Sequence, residues 1–91
     1  MKTEWVKDSE ILYSLIITSL GNIPVAELKY NHIKDIWVLQ STALGVYNHQ
    51  FNEPNIDKVI LKANKVLHEA SIILLDCAQK FEHELNLLSN S

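Results

Sequence analysis

Arginine is missing altogether. All eight basic side chains in the 91 residues are lysine, set against eleven acidic ones for a net charge of −3. Arginine is the usual two-pronged grip on phosphate, carboxylate and guanine edges. Without it, and without a basic stripe, nucleic-acid binding and tight capture of dianionic substrates lose their chemical basis. Cysteine is reduced to Cys77. One thiol makes no internal disulfide and fits a reducing compartment, so the expectation is a cytoplasmic protein. Cys77 lies in an apolar run (LLDCAQK) and reads as a small buried hydrophobe. Long hydrophobic runs are absent too. The longest, Ile11 to Leu20, contains Ser14, Thr18 and Ser19 and falls short of the ~20 residues that cross a bilayer. The acidic groups before it and the lack of a cleavage site after it make it a poor secretory signal.

Glycine and proline number two each. They gather with asparagine at 21–24 (GNIP) and 52–54 (NEP). Read as the chain's main breaks, they divide it into three long elements.

What is present is apolar periodicity. Ala26, Tyr30, Ile33, Trp37, Gln40, Leu44, Tyr47 and Phe51 are spaced alternately by four and three residues, a heptad seam for one helix face. Ile56, Ile60, Ala63, Leu67, Ala70, Leu74, Cys77 and Phe81 repeat the pattern, and Leu85, Leu87 and Leu88 extend it. Asn52 offers an N-cap, Pro54 suits a first turn, and Phe51 with Ile56 forms a hydrophobic staple. The first element is ambiguous. Ile11 to Leu20 is rich in β-branched residues, which favour strands, but a lone strand would have no pairing partner. Helix is therefore the expectation, with Thr3 as N-cap. Gly45 reads either as a stop or as a kink in a continuing helix, and the seam running on through Tyr47 and Phe51 favours continuity.

These readings predict an all-α fold. It is an antiparallel three-helix up-down-up bundle, one domain over residues 1–91, with helices at about 3–20, 24–51 and 53–88. Helix one is too short to cover the other two. The uncovered end would expose Leu44, Tyr47, Phe51, Ile56 and Ile60, which become the expected interface of a homodimer or of a heterologous protein partner. The run SIILL at 71–75 points all round the helix and gives the same hint.

No catalytic constellation emerges. His32, His49, His68 and His83 form none of the spacings that put metal ligands on one helix face. His32 with Asp35 is the nearest approach, and exposed His/Asp pairs are common on solvated faces. There is no phosphate loop and no nucleophile elbow. The sequence therefore points to a small non-enzymatic protein-interaction module without cofactor or metal, of the size and charge that suit inhibitors, immunity proteins and accessory subunits. The alternative is a small-ligand or signal-binding bundle with an aromatic pocket at Tyr30, Trp37, Gln40 and Tyr47. A metal-dependent or acid–base enzyme ranks last.

Overall fold

The computed structural model describes residues 2–90. It overturns the three-helix bundle. Strands occupy most of the first 51 residues: β1 Thr3–Ser9, β2 Leu12–Ile17, β3 Ile23–Asn31, β4 Ile36–Ser41 and β5 Val46–Phe51. One helix follows, α1, Ile56–Ser89. The five strands form an antiparallel meander in the order β1-β2-β3-β4-β5. The expected helices at 3–20 and 24–51 do not exist.

The reason lies in the turns. A heptad seam and a set of short alternating strands share many positions, and only the chain reversals separate them. Here the reversals use left-handed backbone at residues other than glycine. Asn22 has φ 61° and Asp35 has φ 53°, beside Gly21 at 81° and Gly45 at 70°, whereas Asn48, at φ 52°, lies inside β5 where its pairing with β4 shifts. Asn and Asp tolerate this region because their side chains bond locally. Asn31 does so at the β3–β4 turn, where its side chain accepts from Ile33 N (3.0 Å) and Lys34 N (3.2 Å). Gly45 is thus neither a helix stop nor a kink; it closes the β4–β5 turn, donating to the Thr42 carbonyl. The β-branched run at 11–17 finds partners on both sides, in β1 and β3, so the objection that a strand there would be alone falls away. Thr3 begins β1 rather than capping a helix.

Alternation then sorts the side chains. In β3 and β4, Ala26, Leu28 and Tyr30 share a face with Trp37, Leu39 and Ser41, since Leu28 opposes Leu39 and Tyr30 opposes Trp37. Leu28 and Leu39 are fully buried, yet neither belongs to the heptad seam. Glu27, Lys29, Val38 and Gln40 occupy the opposite, open face, with Glu27 opposite Gln40.

Helix α1 packs on the first face through Val59, Ala63 and Leu67, which join Leu28, Trp37, Leu39, Val46 and Phe51 in one core. Its N-cap is Asn55, not Asn52: the Asn55 side chain accepts from Asp57 N at 2.9 Å and Lys58 N at 3.4 Å. Phe51 lies in the last strand, buried. Trp5 Nε1 donates to Asn64 Oδ1 at 2.7 Å, tying edge strand β1 to the first third of the helix. Ser41 is buried; its hydroxyl donates to the Val25 carbonyl at 2.6 Å and accepts from Leu44 N at 3.2 Å. That pair of bonds anchors the β4–β5 turn to the irregularity in β3, where pairing shifts between Leu15 and Ile16.

Candidate interaction surface

The sheet supports less than half of α1. At 1.5 Å per residue, a helix of 34 residues is about 51 Å long, and the molecule measures 54 × 28 × 18 Å. From residue 72 onward every described residue is exposed. Residues 71–89 therefore overhang the sheet by about 28 Å.

The apolar pattern does not stop where the sheet does. With each residue turning 100°, Val59, Ala63 and Leu67 define the direction toward the sheet. Leu74, Cys77, Ala78, Phe81, Leu85 and Leu88 all fall within about 60° of that same direction. The stripe is one continuous surface, seated at first and then bare. Exposure is 44% for Leu74, 64% for Phe81, 45% for Leu85 and 69% for Leu88. Ile72, Ile73, Leu75 and Leu87 add exposed apolar area on the other sides. Cys77, expected to be buried, is exposed because it sits on the overhang.

Where α1 leaves the sheet, a groove of ≈ 500 Å³ opens beside it. Its apolar lining includes Trp5, Leu15, Ile17, Val25, Leu44 and Leu67. On the helix side the groove is lined by Asn64, Leu67, His68 and Ser71, so it lies along one flank of the helix and touches the stripe at Leu67.

The residues expected at an interface are scattered in this fold. Phe51 is buried, Leu44, Ile56 and Ile60 are half-buried against the core, and Tyr47 is 60% exposed on edge strand β5. Leu44 lines the groove. The uncovered hairpin end that grouped these residues has no counterpart. The stripe at 74–88 is the continuation of the expected seam (Leu74, Cys77, Phe81 and the trailing leucines), but that seam implies a bundle core, and only the SIILL run hints at exposed surface.

The expected ligand pocket is likewise divided. Tyr30 and Trp37 pack with ring centroids 5.3 Å apart, and Tyr13 meets Trp37 edge-on at 5.7 Å. Gln40 faces the other side of the sheet. Tyr30 and Gln40 do border a shallow hollow of ≈ 400 Å³ on the open face, but Trp37 and Tyr47 do not.

His32, His49, His68 and His83 are all exposed. Asp35 accepts a hydrogen bond from the Tyr30 hydroxyl, and His32 stacks edge-on to the Tyr30 ring at 5.4 Å. Among the described residues, no group of three or more His, Cys, Asp or Glu side chains is placed to hold a metal ion. At the β1–β2 turn the Glu10 carboxylate, 3.0 Å away, accepts a hydrogen bond from Lys7 and holds its ammonium above the usual lysine range. Among the described residues no helix is long and apolar enough to cross a membrane.

No family model matches the chain, and comparisons with curated proteins and with solved structures likewise find no match. Functional inference therefore rests on the geometry of this chain.

Proposed function

We propose that the chain is a non-catalytic protein-interaction module. The sheet and the first half of α1 form a folded base, and the overhang 71–89 is the docking element. One observation carries this reading: the stripe that seats the helix on its own sheet continues past the sheet with nothing over it. A large apolar side chain gains about 1.5–3 kcal/mol on full burial, so Leu74, Phe81 and Leu85 together represent binding energy held in reserve. Contiguous exposed apolar patches of this kind mark interaction sites. We place the protein in the reducing cytoplasm, where an unpaired exposed thiol such as Cys77 persists.

The test is Phe81→Asp. Under this reading the base stays folded, with its tryptophan fluorescence and thermal unfolding in dilute solution unchanged, while binding of a dye specific for exposed apolar surface, or any association present in the wild type, falls. A variant that unfolds the base would mean that the stripe belongs to the chain's own core, and the reading would fail.

A further inference from the structure

The bare stripe has a definite shape and a definite extent, and both constrain what covers it. A compact monomer of 10.4 kDa exposes roughly 5400 Å². This chain exposes 6610 Å². The excess is about 1200 Å², against the roughly 800 Å² per partner that a stable interface removes. The radius of gyration of 16.0 Å exceeds the roughly 12 Å of a compact chain of this length in the same sense. The surplus area is sufficient for one helix-to-helix contact, and the stripe is self-complementary: large Leu74, Phe81 and Leu85 alternate with small Cys77 and Ala78.

We propose that the occupant is the overhang of a second copy, running antiparallel on this one, with the two helices meeting near Ala78 and Leu85 and Leu88 of each seated at the groove beside the other's sheet. The inference rests on reading the overhang as a docking surface. It adds the partner, its direction and its register.

Direction follows from which side the stripe faces. It points to the side where the sheet lies. A parallel partner packed on the stripe, followed back toward its N-terminus, would run into the first copy's sheet, and both sheets would claim the same space. An antiparallel partner meets no such obstacle. Its helix passes the start of the other sheet by only about one turn, at the groove, so the overlap is limited to roughly the length of the overhang.

Register follows from charge and from the groove. In an antiparallel pair, flanks of the same kind face each other across the seam. To one side of the stripe, Glu84 lies about 60°, Lys80 about 100° and Asp76 about 140° from its direction. Centred on Lys80, the pair would oppose Lys80 to Lys80 and Asp76 to Glu84, and like charges facing each other are unfavourable. Centred on Ala78, Lys80 of one copy comes level with Asp76 of the other, twice by symmetry, instead of with its own counterpart. The same two-residue shift carries Leu85 to the level of Ser71 and Leu88 to the level of His68, both of which line the groove. The second copy thus completes a cleft that a single chain leaves open.

The experiment combines sedimentation equilibrium with a short bis-maleimide applied to single-cysteine variants. The wild type is expected to be dimeric and Phe81→Asp monomeric. Native Cys77, one residue from the proposed centre, should cross-link to its counterpart. In a Cys77→Ser background, Ser71→Cys alone should not cross-link, because the two copies of position 71 lie about 21 Å apart along the axis. Ser71→Cys mixed with Leu85→Cys and allowed to exchange should cross-link as a heterodimer. Each variant is confirmed dimeric before the reagent is added. A wild type that stays monomeric at millimolar concentration overturns the second copy. Its failure is separate from that of the docking reading, which stands or falls on whether Phe81→Asp stays folded. A dimer in which Ser71→Cys links to itself overturns the antiparallel arrangement.

Discussion

The two halves of α1 carry the same stripe under different cover. Between Ile56 and Ala70 it holds Val59 and Ala63 at 0% exposure and Leu67 at 5%. Between Ser71 and Ser89 it holds Leu74 at 44% and Phe81 at 64%. Nothing in the helix itself marks the change, since the spacing and the apolar character continue. The change is imposed from outside, by where the sheet ends. An amphipathic helix thus records which of its sides is to be buried without recording against what, and a helix longer than its sheet exports the remainder as a binding surface.

The sharpest way to break this comparison is to cut one stripe residue in each half. Leu67→Ala opens a cavity among Leu28, Leu39 and the other core residues and should lower stability by about 2–5 kcal/mol, read from chemical denaturation. Phe81→Ala removes a larger side chain, yet in dilute solution it should fall within the roughly ±0.5 kcal/mol typical of surface substitutions. Equal losses from the two would mean that the overhang folds back on the base and that the halves are not different.

A second substitution tests whether the sheet's own geometry sets where the helix is seated. Ser41 bridges the Val25 carbonyl and Leu44 N from inside the core. Ser41→Ala leaves both without that partner and should cost about 1–3 kcal/mol. It should also loosen the loop that presents Leu44 to the groove, so hydrogen exchange at Leu44 N should quicken by more than exchange in β2.

How much of this was visible in the sequence differs between the same two regions. The helix was legible, with its apolar spacing traced through Phe81 and its start expected within three residues of Ile56. The strands were not, for a definite reason. Ala26, Tyr30 and Trp37 satisfy a heptad and, read within 26–30 and 37–41, also satisfy alternation. Over a long window the heptad matches better, because each turn resets the period of two. The residues that discriminate are Leu28 and Leu39, which the seam left out and which the strands bury completely. The β3–β4 turn had its own signals in Asn31 and Asp35, but these carry less weight than glycine or proline when breaks are sought by composition. The run at 11–17 speaks for strands directly, and only the helical periodicity on its C-terminal side argues against one. The docking surface was half legible: the SIILL run was recognised as too apolar for a small bundle, but its exposure depends on the width of a sheet the sequence had not yielded.

Asn55→Ala sharpens the comparison at the seated end. The cap accepts from Asp57 N and Lys58 N, and its loss should cost about 1 kcal/mol. Because the cap anchors the half that rests on the sheet, the penalty should be the same at low and high protein concentration. The protection of amides at 72–88 should instead rise with concentration, since a second copy is what shields them.

The smallest expected effect probes the meeting point itself. Lys80 and Asp76 pair along one helix at 3.0 Å, both well exposed, and such a pair contributes only about 0.3–0.5 kcal/mol to a helix. In a single chain, Lys80→Asp should therefore be nearly silent. In the antiparallel dimer it sets two new acidic groups beside two existing ones, and dimerisation should weaken measurably at low ionic strength and recover as salt screens the repulsion. Asp76→Lys should do the same with lysines. Mixing the two variants restores opposite charges across the seam, so the mixture should associate more tightly than either variant alone. That preference for the unlike partner cannot come from pairing within one helix, because each variant has already lost it. It requires these flanks of the two copies to lie near each other across the seam.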